Sequence, residues 1–65
     1  MRKYIVILQT SASNFKVMIL MANNKADLFK MYRDMGVTVS TQEYSQHNLN
    51  MARMQTEQYN ELTKN

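Results

Sequence analysis

Residues 4–21, YIVILQTSASNFKVMILM, decide the fold. Two apolar, β-branched runs of strand length, residues 4–8 and 15–21, flank the polar, turn-forming segment Ser11-Ala12-Ser13-Asn14. This is a hairpin pattern, and a four-residue loop is its simplest connection. Such a loop sets Thr10 opposite Phe15, Leu8 opposite Val17, Val6 opposite Ile19 and Tyr4 opposite Met21. These eight residues share one face, and all but Thr10 are apolar or aromatic. The other face holds Ile5, Ile7, Met18 and Leu20 in its middle, with Lys3, Gln9 and Lys16 toward its ends. A one-residue slip would mix the faces, so the pattern itself suggests this register.

Downstream, Asn24 is suited to cap a helix, and Asp27 three residues later completes a capping-box-like pattern with an acid near the positive helix end. Leu28, Phe29, Tyr32 and Met35 recur at helical spacing as one apolar stripe. Lys30 and Asp34 stand four residues apart outside it. Gly36, the single glycine, is placed to close the helix in the left-handed conformation, with Val37 beside it for the accompanying apolar contact. Val37-Thr38-Val39-Ser40-Thr41 then alternates as a strand at a sheet edge does, and the strand continues through Gln42-Glu43-Tyr44.

Strand, helix, strand implies a right-handed crossover, with the third strand running parallel to the second. The first strand is apolar on both faces and belongs in the centre, giving the order 2-1-3. Ser45 opens a final helix over 46–63. Its stripe of Leu49, Ala52, Tyr59 and Leu62 is broken by Gln55 and Thr56, with Met51 and Met54 partly off the line. The expected fold is therefore α+β, ββαβα, a small three-stranded sheet with two helices forming a single compact domain over 1–65.

At 65 residues the chain has room for one core. It has no cysteine, so neither disulfides nor Cys-based zinc sites are available. With 45% hydrophobic and 20% charged residues, the composition is that of a folded chain. The apolar run after Arg2-Lys3 ends at Gln9, and Lys16 interrupts the next one. Neither a signal peptide nor a membrane span is expected, and the location expected is cytoplasmic.

Chemistry-bearing groups are sparse. His47 is the single histidine, with Glu43 four residues before it across a strand-to-helix boundary; it reads as a surface residue rather than a metal ligand. Ser45 lies near His47 without a third group or a glycine-rich oxyanion turn. Glu57 and Glu61 read as a solvated helix face, and one glycine cannot build a phosphate loop. No catalytic residue, metal or cofactor is expected.

The net charge of +3 is unevenly spread. Residues 1–34 carry six basic residues and two acids, a balance of +4; residues 35–65 carry Arg53 and Lys64 against Glu43, Glu57 and Glu61, a balance of −1. Lys3, Lys16, Lys25, Lys30 and Arg33 are the candidate contacts for nucleic acid, although Asp27 and Asp34 interleave those of the first helix.

Two helix arrangements are open. If both helices cover the Tyr4, Val6, Leu8 face, then Ile5, Ile7, Met18 and Leu20 stand exposed and, with Lys16, form a partner-binding patch. The seven methionines, whose flexible thioethers adapt to partner surfaces, support that arrangement; if instead the last helix crosses over, the patch becomes core, and Met1, Met18, Met21, Met31 and Met35 simply fill a small core. The patch leads to the functional expectation: a small non-enzymatic protein-interaction module. Beginning at Met1 and lacking catalytic groups, it reads as a complete chain of the kind phages and mobile elements use as steric inhibitors of a host protein. In that reading the patch anchors, and Lys16, Lys30 and Arg33 steer toward an acidic partner. The partner is such a protein or a second copy in a homodimer. A small basic nucleic-acid-binding regulator is the alternative.

Overall fold

A computed structural model describes residues 1–63; Lys64, counted above in the charge balance, and Asn65 lie outside them. The elements follow the expected order: β1 (Arg2–Ser11), β2 (Asn14–Ala22), α1 (Lys25–Tyr32), β3 (Val37–Glu43) and α2 (Gln46–Leu62). β1 is central, antiparallel to both neighbours in a sheet ordered β2-β1-β3. β2 and β3 therefore run in the same direction on either side of it.

The hairpin register differs from the expected one by a single residue. Tyr4 pairs with Leu20, Val6 with Met18, Leu8 with Lys16, Ile5 with Ile19, Ile7 with Val17 and Gln9 with Phe15. The loop is only Ala12-Ser13, and the ladder shifts at Thr10, between the Gln9–Phe15 and Ser11–Asn14 pairs. Thr10 and Asn14 lock this bulge: Asn14 Nδ2 donates to Thr10 Oγ1 at 2.8 Å, and Thr10 Oγ1 donates to the Asn14 carbonyl at 3.3 Å. The extra residue turns β2 over relative to β1, so each residue of β2 faces opposite to expectation.

The two helices lie on opposite sides of the sheet. Leu28 and Tyr32 of α1 close over Tyr4, Val6, Leu8 and Ala22, with Met18 and Leu20 against them. Leu49 and Ala52 of α2 close over Ile5 and Ile7, with Val17 against them. Residues 4–8 of β1 are thus buried without interruption, alternating between two cores. This alternation explains a strand apolar on both faces, and the crossing arrangement of the last helix is the one adopted.

Both helix starts are as expected. Asn24 Oδ1 accepts from the Asp27 N–H at 2.8 Å, and Ser45 Oγ accepts from the Asn48 N–H at 3.0 Å. The end of α1 is not. The helix stops at Tyr32, so Asp34 lies beyond it and Lys30–Asp34 is no intrahelical pair. Gly36 is not in the left-handed helical conformation; its φ of +158° is nevertheless one that a residue with a Cβ rarely adopts, and a Cβ there would also stand 2.5 Å from the Gln9 carbonyl oxygen. Of the expected α1 stripe, Leu28 and Tyr32 are buried while Phe29 and Met35 are exposed, because an eight-residue helix lays only a narrow line on the sheet.

Candidate interaction surface

The expected patch is dismantled by the register. Ile5 and Ile7 are 2% and 1% exposed beneath α2, whereas Met18 and Leu20 pack half-buried on the α1 side. Lys16 is exposed and opposite Leu8, on that same α1 side. Each face of the sheet carries a helix, and these five residues do not form one surface.

The candidate cations are also divided. Lys3 belongs to the α2 face, opposite Met21, with its Nζ 4.6 Å from the centre of the Tyr44 ring. Lys16 is on the opposite face, contrary to the expectation that the two share one. Lys25, Lys30 and Arg33 are exposed on and just after α1, interleaved with Asp27 and Asp34. A phosphate backbone following one face would meet only part of this set.

An open depression of about 430 Å³ at the start of β1 is lined by Arg2, Lys3, Glu43 and Tyr44. Arg2 Nη1 and Glu43 Oε1 pair at 3.0 Å, with both side chains largely solvated, which leaves Lys3, over the Tyr44 ring, as the excess positive charge there. Ser45 is engaged as a helix cap, and His47 is exposed on the first turn of α2. Among the described residues no three His, Asp or Glu side chains are grouped to hold a metal. No helix among them is long and apolar enough to cross a membrane.

The outer edge of β2 is different in kind. Asn60 of α2 reaches Phe15, accepting from its N–H at 2.8 Å and donating to its carbonyl at 3.1 Å. Both main-chain groups of Phe15 therefore point away from β1. At the far edge of β1, the Tyr44 N–H donates to the Lys3 carbonyl at 2.9 Å, so the odd-numbered residues of β1 turn toward β3 and the even-numbered ones toward β2. The two observations agree. By the alternation of an antiparallel ladder, Val17, Ile19 and Met21 share the outward orientation of Phe15.

The side chains at this edge reinforce the difference. Ile19 is 45% exposed and Met21 51% exposed, while Val17 is half-buried toward α2. Lys16 is the one charged residue in β2. The opposite edge, β3, carries the devices that discourage pairing: a register shift between its Thr38 and Ser40 pairs, polar side chains along most of its length, and Glu43 at its end.

Sequence reasoning missed Ile19 and Met21 because the assumed register put them in the core. It also missed Asn60, although a signal was present. Asn60 falls on the inward line Leu49, Ala52, Thr56, at a position where a polar side chain needs a buried partner. Comparison with known proteins gives no match: no family model fits the chain, and no curated protein or solved structure is significantly similar to it.

Proposed function

We propose that this chain is a non-enzymatic protein-binding module that engages its partner through the outer edge of β2. One observation carries the reading: beyond the Asn60 clamp, β2 presents outward main-chain groups alongside the half-exposed Ile19 and Met21. An edge of this composition is a template for another strand. Main-chain hydrogen bonds supply affinity, and alternate side chains supply selectivity. Against a foreign protein the action is steric, as in the small inhibitors of phages and mobile elements, with the exposed Lys30 and Arg33 favouring an acidic surface.

The discriminating experiment is capture from source-cell lysate by the wild type and by Ile19→Lys, each with and without nuclease and across a salt series. The reading expects a protein, a foreign one or a further copy of this chain, retained by the wild type after nuclease and at high salt, and lost from Ile19→Lys. Recovery that disappears on nuclease treatment, or falls steeply with moderate salt and on making Lys30 and Arg33 acidic, would establish the nucleic-acid alternative instead.

A further inference from the structure

We infer that the strand which completes this edge is that of a second copy, paired antiparallel to the first about a two-fold axis at Ile19. The inference rests on the reading of β2 as the interaction edge and names its occupant.

The argument begins with which groups are free. Asn60 occupies the N–H and carbonyl of Phe15, and Thr63 Oγ1 donates to the Ser13 carbonyl at 3.4 Å, so the end of α2 closes the hairpin end of the edge. The strand ends at Ala22. Between these limits the outward residues are Val17, Ile19 and Met21, a set symmetric about its middle member. Two antiparallel copies centred on Ile19 match Val17 with Met21 of the second copy and Ile19 with its own counterpart. All the free groups of both copies are then used, in about six main-chain hydrogen bonds. Centring on Met18 would direct Met21 at Phe15, which Asn60 already holds. Centring on Leu20 would direct Val17 past the end of the strand at Asn23.

The side chains agree with this centre. On the α2 side Ile19 stands beside its counterpart, and Met21 beside Val17. On the α1 side Met18 meets Leu20. The one charge in the strand, Lys16, falls opposite Ala22, which places the two Lys16 residues about 20 Å apart, roughly two Debye lengths. Parallel in-register pairing would set them side by side.

The absence of cysteine makes the test clean. Ile19→Cys should cross-link to its own copy under mild oxidation, since paired Cα atoms at about 5.5 Å suit a disulfide. Met21→Cys alone should not, whereas Met21→Cys mixed with Val17→Cys should. Sedimentation of the wild type should show the mass doubling with concentration between ~1 µM and ~1 mM, with Ile19→Lys remaining monomeric. If Ile19→Lys fails to fold, chemical synthesis with an N-methyl group on Ile19 replaces the outward N–H by a methyl that blocks an approaching strand, and should abolish doubling while circular dichroism stays native.

A wild type that is monomeric throughout overturns the inference. So does a dimer insensitive to that N-methylation, or one that cross-links equally through Ile19→Cys and Met21→Cys. If the chain is monomeric and still captures a protein in an Ile19-dependent way, self-pairing is wrong and the edge reading stands. If capture ignores Ile19→Lys as well, both fall.

Discussion

Gly36 and Asn60 each fix a junction that hydrophobic patterning does not control. At Gly36 the chain enters β3 so close to β1 that a methyl group would press on the Gln9 carbonyl oxygen at 2.5 Å and the Thr10 Cα at 3.4 Å. These are backbone atoms of the central strand and cannot swing aside. We expect Gly36→Ala to lower stability by about 1–3 kcal/mol, read as a lower urea midpoint at unchanged slope. Asn60 acts through shape: its amide presents one donor and one acceptor to the donor and acceptor of Phe15, as a neighbouring strand would. The Phe15 and Tyr59 rings, 5.2 Å apart between centroids, hold the same end of α2 against the strand.

Among the elements, those specified by local signals were legible in the chain and those specified by contact were not. Asn24 and Ser45 are caps by residue type and position, and the doubly apolar β1 places itself at the centre of the sheet. Register is another matter. It rests in the sequence on a four-residue loop from Ser11 to Asn14 and on the gathering of Val6, Val17 and their neighbours on one apolar face, but the loop is shorter and both faces are covered. An apolar residue on either side of β2 then satisfies the pattern equally, and the choice passes to the Thr10–Asn14 bulge. The expected patch inherited that error, since Met18 and Leu20 were placed with Ile5 and Ile7. The polar gap in α2 was legible only in part: Thr56 is buried because its Oγ1 donates to the Ala52 carbonyl at 2.8 Å within the helix. Two substitutions separate these contributions in denaturant unfolding. Leu49→Ala should cost about 2–4 kcal/mol by opening a cavity over Ile5 and Ile7. Thr56→Val, which keeps the shape and frees a carbonyl already bonded in the helix, should fall within about 0.5 kcal/mol of the wild type.

At the scale of the whole molecule, two small cores share one strand and neither helix substitutes for the other. Ending the chain after Tyr44 would leave Ile5, Ile7 and Val17 uncovered; we expect such a chain to bind the dye ANS strongly and to lose its cooperative thermal transition. If it instead melted cooperatively without binding dye, the α2-side core would be dispensable to the fold. The uninterrupted burial of residues 4–8 also has a bearing on how disturbance spreads. Along β1, the parity of a position is an address: even numbers report to α1, odd numbers to α2. Loosening either helix must loosen every second residue of the same five, and a strand cannot release alternate residues while keeping its ladder. The two sides of this protein are thereby bound to a common fate, with β1 as the wire between them.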